Sequence, residues 1–174
     1  PIIRAFRKEF GFYDIFLVEP ENGFIVYTVF KEMDFGTSLF TGPYRDTNLG
    51  RVVQKAMKSK DRGAVFLEDF EPYEPSYNDP AAFIAAPIIE GDTVIGVLAF
   101  QLPVDRINKV MLENAGMGET GESFVIGPDS LMRTASRFSE ESTILKQKVE
   151  TESAKDVLAG KAGLFKTTNY QGKT

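Results

Sequence analysis

The sequence predicts an α+β protein in which helices flank an antiparallel sheet, followed by the first part of a second, similar module. Three observations support this fold class. Short β-rich runs follow one another through tight turns, amphipathic segments accompany them, and two sequence patterns recur further along the chain. Strands that are neighbours in sequence and joined by short turns pair antiparallel, so we expect an antiparallel sheet.

Three segments carry apolar residues at helical spacing, with charged residues between them. The first ends at Gly11, a residue type that commonly stops a helix, and Pro103 is a favourable first residue for the third. The predicted helices cover residues 2–10, 48–58 and 103–115.

Five β-rich runs supply the sheet. The Asn22-Gly23 pair between the first two runs is a strong hairpin signal, and Gly91 marks a second turn between the last two. The predicted strands cover residues 13–19, 24–31, 64–70, 81–89 and 93–102. Two loops remain, 34–46 and 71–80, and loops on a rigid scaffold often carry binding residues.

Two patterns of the first half recur in the second. The strand and acidic turn at 13–20 are echoed at 122–129, and the helix-to-strand junction at 61–66 is echoed at 160–165. Both offsets are roughly 100 residues, the size of one small domain. We therefore predict one module at 1–112 and the first half of a duplicate at 113–174.

The composition excludes several functions. A net charge of −5 argues against a nucleic-acid surface, which needs clustered Lys and Arg. The chain has no His and no Cys, which removes thiol nucleophiles, imidazole bases and Cys/His metal sites. A G-x-G-x-x-G spacing at 116–121 precedes a predicted strand instead of following one, so it does not indicate a dinucleotide site. No nucleophile stands beside a base, and we predict no enzyme, no metal and no cofactor.

Several stretches resemble double Cache domains, the PAS-like extracytoplasmic sensor domains of bacterial chemoreceptors and sensor kinases. The similar stretches are 13–18, 26–37, 81–88, 94–101 and the entry to the second module at 118–124. The resemblance implies that the membrane-distal module binds a small ligand and signals to a chemotaxis, histidine kinase or cyclase output. It also implies a periplasmic position, anchorage in the inner membrane by segments outside this chain, and a homodimer formed through a long N-terminal helix.

The resemblance also implies a place for the ligand, between the sheet and the long loop at 34–46. Amino-acid binders of the family grip the carboxylate with an Arg-Pro-Trp-Tyr-like stretch, and Asp residues near the loop and on the last strand take the amine. The equivalent stretch at 42–45 has its Arg elsewhere and lacks the Trp, and Gln101 replaces the last-strand Asp. Asp69, with Tyr73 nearby, keeps an amine-facing role. These departures argue against an amino-acid ligand but not against ligand binding.

The candidate ligand-binding residues are Tyr27, Tyr44, Arg45, Phe66, Asp69, Tyr73, Phe83 and Gln101. Each has a structural alternative: the strand aromatics can be ordinary core, Arg45 a solvated charge, and Asp69 a strand-end residue that bonds backbone. Gln101 is the most informative, because a buried amide must find partners and a ligand could be one.

A second function stays open from the sequence, a ligand-free interaction or dimerisation module that a periplasmic partner protein recognises. Two features would favour it: exposed apolar residues on the helices at 2–10 and 103–115, and a site filled by the chain's own Tyr and Phe side chains.

Overall fold

The computed structural model describes residues 2–164, 168–170 and 172. The chain divides into two compact units, Pro1–Pro103 and Val104–Thr174. The first contains the sheet and the second contains helices joined by irregular segments. The predicted division into two Cache modules at residue 112 stays a prediction, because compactness alone does not show that the second unit is a module of the same kind.

The first unit is built on a five-stranded sheet with the order β2-β1-β5-β4-β3, and every neighbouring pair is antiparallel. The last three strands form the expected meander, and β1 lies between β2 and β5. The strands are β1 Ile15–Val18, β2 Ile25–Thr28, β3 Phe66–Tyr73, β4 Asp79–Glu90 and β5 Thr93–Gln101. The predicted α+β class is confirmed.

Helix α2, Asn48–Met57, packs on one face of this sheet. Thr47 caps its first turn, since its Oγ1 accepts a hydrogen bond of 3.2 Å from the Gly50 N–H. Gly50 is required there, because a Cβ at this position would lie 2.3 Å from the Arg45 carbonyl oxygen. The apolar side of the helix is fully buried: Leu49, Val52, Val53 and Ala56.

The register identifies which strand residues face α2. Residues paired directly across antiparallel strands point to the same face. Phe16 pairs with Thr28 on one side and Ala99 on the other, and Ala99 pairs in turn with Ala85. All four are almost completely buried and form the floor under α2 and the loop that precedes it.

Helix α1, Ile2–Phe10, ends as predicted at Gly11, whose φ of 72° and N–H bond to the Arg7 carbonyl close the last turn. No residue of α1 is buried, and Ile2 is 84% exposed. The Phe6 ring lies 6.2 Å from Phe100 on the sheet.

The second unit contains α3, Val104–Met111, and α4, Glu152–Leu158. The strand echoed at 122–129 is not found in the part of the chain that the structure describes, where Ile126 makes only an isolated bridge to Met132. A side-chain oxygen replaces a ladder partner here, since the Val125 N–H bonds Thr134 Oγ1 at 3.0 Å. The other echo, 160–165, ends at Phe165, which lies outside the described residues.

Candidate functional site

A group of buried and partly buried polar and aromatic side chains lies on the face of the first-unit sheet that α2 covers. We call it the Asp34 cluster, and its members are joined by hydrogen bonds, ring contacts or charge: Glu32, Asp34, Tyr44, Tyr73, Ser76, Phe83 and Gln101. Phe83 and Gln101 are paired across β4 and β5, so both point to this face.

A tight turn after β2 positions Asp34. The Phe35 N–H bonds the Glu32 carbonyl and the Thr37 N–H bonds the Asp34 carbonyl, at 3.1 and 3.0 Å. The Ile25 N–H then donates a hydrogen bond to the Thr37 carbonyl, and this bond brings the loop back to β2. The Asp34 side chain is left fully buried against the end of β3.

Asp34 and Tyr73 form the centre of the cluster. The Tyr73 hydroxyl donates a hydrogen bond of 2.5 Å to Asp34 Oδ2, and both side chains have no exposed surface. Burial raises the pKa of the Asp34 carboxyl to about 6; the charges of Glu32 and Asp14 add to this, and the Tyr73 hydrogen bond opposes it. Burial beside Asp34 raises the pKa of the Tyr73 hydroxyl, which therefore stays a donor.

A second set of contacts joins the turn to the last strand through the 3-10 segment Glu74–Ser76. Ser76 Oγ donates to Glu32 Oε2 at 2.9 Å and accepts a long bond of 3.4 Å from Gln101 Nε2. Glu32 also accepts a bond of 3.2 Å from the Tyr13 hydroxyl. The loop after β2, the segment after β3 and the end of β5 thus meet at one place.

Aromatic rings surround these polar groups. The Tyr73 ring centroid lies 5.0 Å from that of Phe83 in an edge-to-face contact and 6.4 Å from that of Tyr44. Phe83 in turn lies 6.0 Å from Phe16. Water is therefore kept away from Asp34, which is why its charged form is disfavoured.

Asp14 is a second buried carboxylate on the same face, with a different environment. It accepts bonds from the N–H groups of Ile15 and Val29 at 2.7 and 2.9 Å, from Thr28 Oγ1 at 2.7 Å and from the Phe30 N–H at 3.4 Å. Both of its oxygens are engaged by the chain that leaves β2. We interpret it as a structural anchor for the start of the long loop.

Four of the candidate residues come together in this cluster: Tyr44, Tyr73, Phe83 and Gln101. The other four lie elsewhere on the first unit, and their roles in binding stay predictions. Tyr27 pairs with Leu17 and therefore points to the opposite face of the sheet, while Phe66 packs against the core under α2.

Arg45 and Asp69 are both exposed. Arg45 pairs with Asp46 at 3.0 Å, and the two side chains are 56% and 84% exposed. Asp69 lies at an irregularity of β3, where its Oδ1 accepts a bond of 2.7 Å from the Phe70 N–H. That contact matches the backbone-bonding alternative expected from the sequence.

The structure adds three residues that the sequence reasoning did not select: Glu32, Asp34 and Ser76. Asp34 had a signal, because it is a carboxylate between Met33 and Phe35 in the stretch that resembles Cache domains. Ser76 had none, since a serine in a polar loop is ordinarily solvated.

Clusters of possible metal ligands and helices of membrane-spanning length and hydrophobicity are not found in the described part of the chain. Its acidic side chains form no group of three or more that could hold a metal ion. Within residues 2–164, 168–170 and 172, every helix is too short or too polar to span a bilayer.

Solved structures of similar fold include chemoreceptor ligand-binding domains. The ligand-binding domain of the Pseudomonas fluorescens chemoreceptor CtaA, in complex with L-serine, matches with a TM-score of 0.53 at 15% identity, over 80% of this chain and 53% of its own. The ligand-binding domain of the Pseudomonas aeruginosa amino-acid chemoreceptor PctC, in complex with GABA, matches at 0.55 and 13%, over 78% and 53%. This chain has the fold of a Cache sensor domain.

A third solved structure matches over more of the chain. The extracellular domain of a protein described as a histidine kinase, mmHK1S-Z2, gives a TM-score of 0.59 at 15% identity, over 98% of this chain and 71% of its own. The chain spans about half the length of the two chemoreceptor domains, 53% of each. No family model and no curated protein sequence matches it. The resemblance to Cache domains is thereby confirmed for the fold.

Proposed function

We propose that the chain is the extracytoplasmic sensor region of a membrane receptor and that it binds a small polar ligand at the Asp34 cluster. The observation that carries this proposal is a buried carboxylate with an unsatisfied oxygen, on the sheet face between α2 and the long loop, in a fold used by chemoreceptor ligand-binding domains. A ligand there would contact the sheet, the loop after β2 and the segment after β3 together. Its binding would favour one arrangement of these parts over another.

The receptor context is part of the same proposal. The chain lies in the periplasm, is anchored in the inner membrane by segments outside residues 1–174, and signals to a chemotaxis, kinase or cyclase output. A homodimer through the N-terminal helix is supported by the exposed apolar residues of α1, among them Ile2 and Phe10. The chain itself catalyses no reaction.

A second function has two observations in its favour, the two features that the sequence suggests for it. Apolar residues on α1 and α3 are exposed, among them Ile2, Phe10 and Val110. Tyr73 and Phe83 are fully buried and Tyr44 nearly so, so that the chain's own aromatic rings fill much of the cluster. A ligand-free module recognised by a periplasmic partner, or used for dimerisation, would have such a filled site.

A thermal-shift screen of the 174-residue chain separates the two. The panel covers amino acids, organic acids, amines, purines and sugars at pH 7.5. A ligand at about a hundred times its dissociation constant stabilises the folded state by roughly 2.7 kcal/mol, which is visible as a shift of several degrees. A shift that disappears in Tyr44→Ala but persists in the surface variant Asp92→Asn supports the sensor. A folded protein without any shift across the panel supports the ligand-free module.

A further inference from the structure

The cluster contains two buried acceptors that the chain leaves without partners. Among the described residues, Asp34 Oδ1 and Gln101 Oε1 are buried side-chain oxygens with no hydrogen-bond partner in the protein. Asp34 has no exposed surface and Gln101 is 4% exposed. A buried acceptor without a partner destabilises the folded state by about 1–3 kcal/mol, and a charged one by more. Two such acceptors in one cluster therefore lower the free energy of unfolding substantially.

The charges around these acceptors are negative. Glu32 and Asp14 both oppose the ionisation of Asp34. The basic residues on nearby segments are engaged elsewhere: Lys31 Nζ lies 5.2 Å from the centre of the Phe35 ring, Arg45 is exposed and paired with Asp46, and Arg7 donates to the Tyr13 carbonyl. The cluster thus offers acceptors and negative charge, and the hydroxyls of Tyr73 and Ser76 already donate to carboxylates.

From this arrangement we infer that the site takes a small organic cation with N–H donors, a primary amine or guanidinium compound that carries no carboxylate. The inference rests on the proposed function and gives it a ligand class. An ammonium or guanidinium group donates several strong bonds to carboxylate and amide oxygens and neutralises the charge of Asp34. A ligand carboxylate would be placed beside Glu32 and Asp34 with no cation to pair it.

Binding of such a cation is coupled to a proton. The ionisable groups that face Asp34 are Tyr73 from β3, Tyr44 and Glu32 from the loop after β2, and Asp14 at the start of β1. Both tyrosines keep their protons, because burial raises the pKa of each hydroxyl. Asp34 has a pKa of about 6, so at pH 5 most molecules must lose its proton to accept the cation. We expect an affinity about tenfold lower at pH 5 than at pH 7.5.

Titration calorimetry on the 174-residue chain tests the ligand class with matched compounds. Each amine is compared with the amino acid that differs from it by a carboxylate: ethanolamine with serine, cadaverine with lysine, and agmatine with arginine. Choline tests whether a cation without N–H donors suffices. We expect at least one amine to bind at least tenfold more tightly than its amino acid, and choline to bind weakly or not at all. Equal or tighter binding of the amino acids, or of choline, would overturn the inference.

Two isosteric variants then locate the site. Asp34→Asn removes the charge and keeps the shape, so amine affinity should fall at least tenfold and the remaining binding should lose its pH dependence. Asp92→Asn makes the same change in the exposed turn after β4, about 26 Å along β5 from Gln101, and should leave binding unchanged. Circular dichroism is used to check that both variants are folded.

The possible failures are distinguishable. Amine binding that survives Asp34→Asn, or a hit confined to acids, sugars or purines, overturns the cation inference and leaves the sensor proposal standing. A folded chain that binds no amine and nothing else in the wider screen overturns both.

Discussion

Asp14 and Asp34 are both fully buried carboxylates on the same face of the sheet, yet they differ in how many hydrogen bonds they accept. Asp14 accepts four hydrogen bonds, three of them from backbone N–H groups. Asp34 accepts one from Tyr73, and its other oxygen has no partner in the protein. The backbone donors around Asp14 come from β1 and the end of β2, whereas Asp34 stands on a turn among side chains.

This difference separates a structural carboxylate from a functional candidate. A satisfied buried carboxylate holds the loop start in place and contributes to stability. An unsatisfied one lowers stability, and groups that do so are found mostly where binding or chemistry needs them. The two aspartates therefore predict opposite responses to substitution.

The largest effect is expected from Asp14→Ala. Three N–H groups and one hydroxyl would lose their buried acceptor, and we expect a loss of roughly 4 kcal/mol in the free energy of unfolding. Urea denaturation at pH 7.5 measures it, with Asp92→Ala as the exposed control. If Asp14→Ala destabilises no more than the control, Asp14 is not an anchor.

The next largest effect is the pH dependence of the unfolding free energy that the Asp34 carboxyl causes. Its pKa is about 6 in the folded chain and 3.8 ordinarily, so the folded state holds the proton more tightly. The resulting stabilisation is complete below about pH 4 and is lost as the pH rises through 6, a change of roughly 3 kcal/mol.

Asp34→Asn removes this titration. We expect the difference in unfolding free energy between wild type and Asp34→Asn to change across pH 4–6.5, with the variant gaining relative stability as the pH rises. Urea curves at five pH values measure it. A difference that stays constant would show that Asp34 titrates as an ordinary surface carboxylate.

Gln101→Met should have a smaller effect of the opposite sign to most core changes. The amide makes one long bond and leaves its oxygen unpaired, so an apolar side chain of similar shape should stabilise by about 1 kcal/mol. Gln54→Met is the matched control. The Gln54 amide donates to the Leu39 and Arg45 carbonyls at 2.9 Å each, so its replacement should lower stability. Equal losses in both variants would mean that Gln101 is satisfied.

The smallest effects are expected from Arg45→Ala and Asp69→Ala. Both side chains are exposed, so each change should alter stability by less than about 0.5 kcal/mol. Ligand affinity is the sharper measurement here. A loss of binding in either variant would extend the site to the residues that the sequence selected, and unchanged affinity would confine it to the Asp34 cluster.

The order and kind of the elements were predictable, because they depend on local patterns. The helical spacing before Gly11, the Asn22-Gly23 turn and the apolar face at 48–58 each act over a few residues. The strand expected at 122–129 was wrong for a related reason. A strand needs a partner backbone over several residues. Among the described residues, the backbone of this stretch pairs only around the Ile126–Met132 bridge, and the Val125 N–H bonds a threonine hydroxyl instead of extending the ladder.

Four of the seven members of the Asp34 cluster were predictable from residue type and position. Tyr44, Tyr73, Phe83 and Gln101 stood out as aromatic or polar residues near loops or strand ends, and the structure brings them together. In the sequence Tyr27 was indistinguishable from these four residues, yet its pairing with Leu17 places it on the other face of the sheet. A shift of one residue in register decides that orientation, and the sequence pattern does not define the register.

The sequence by itself determined the α+β class, the absence of His and Cys side chains and the sites of most turns, since these follow from residue types and short-range periodicity. Only the tertiary structure decided that Asp34 is buried beside Tyr73, 39 residues away in the chain, and that Gln101 faces the same space. Contacts between residues so far apart in the chain depend on the position of β1 between β2 and β5 and on the packing of the loop against the sheet. The burial that raises the pKa of Asp34 exists only once those distant segments have packed together.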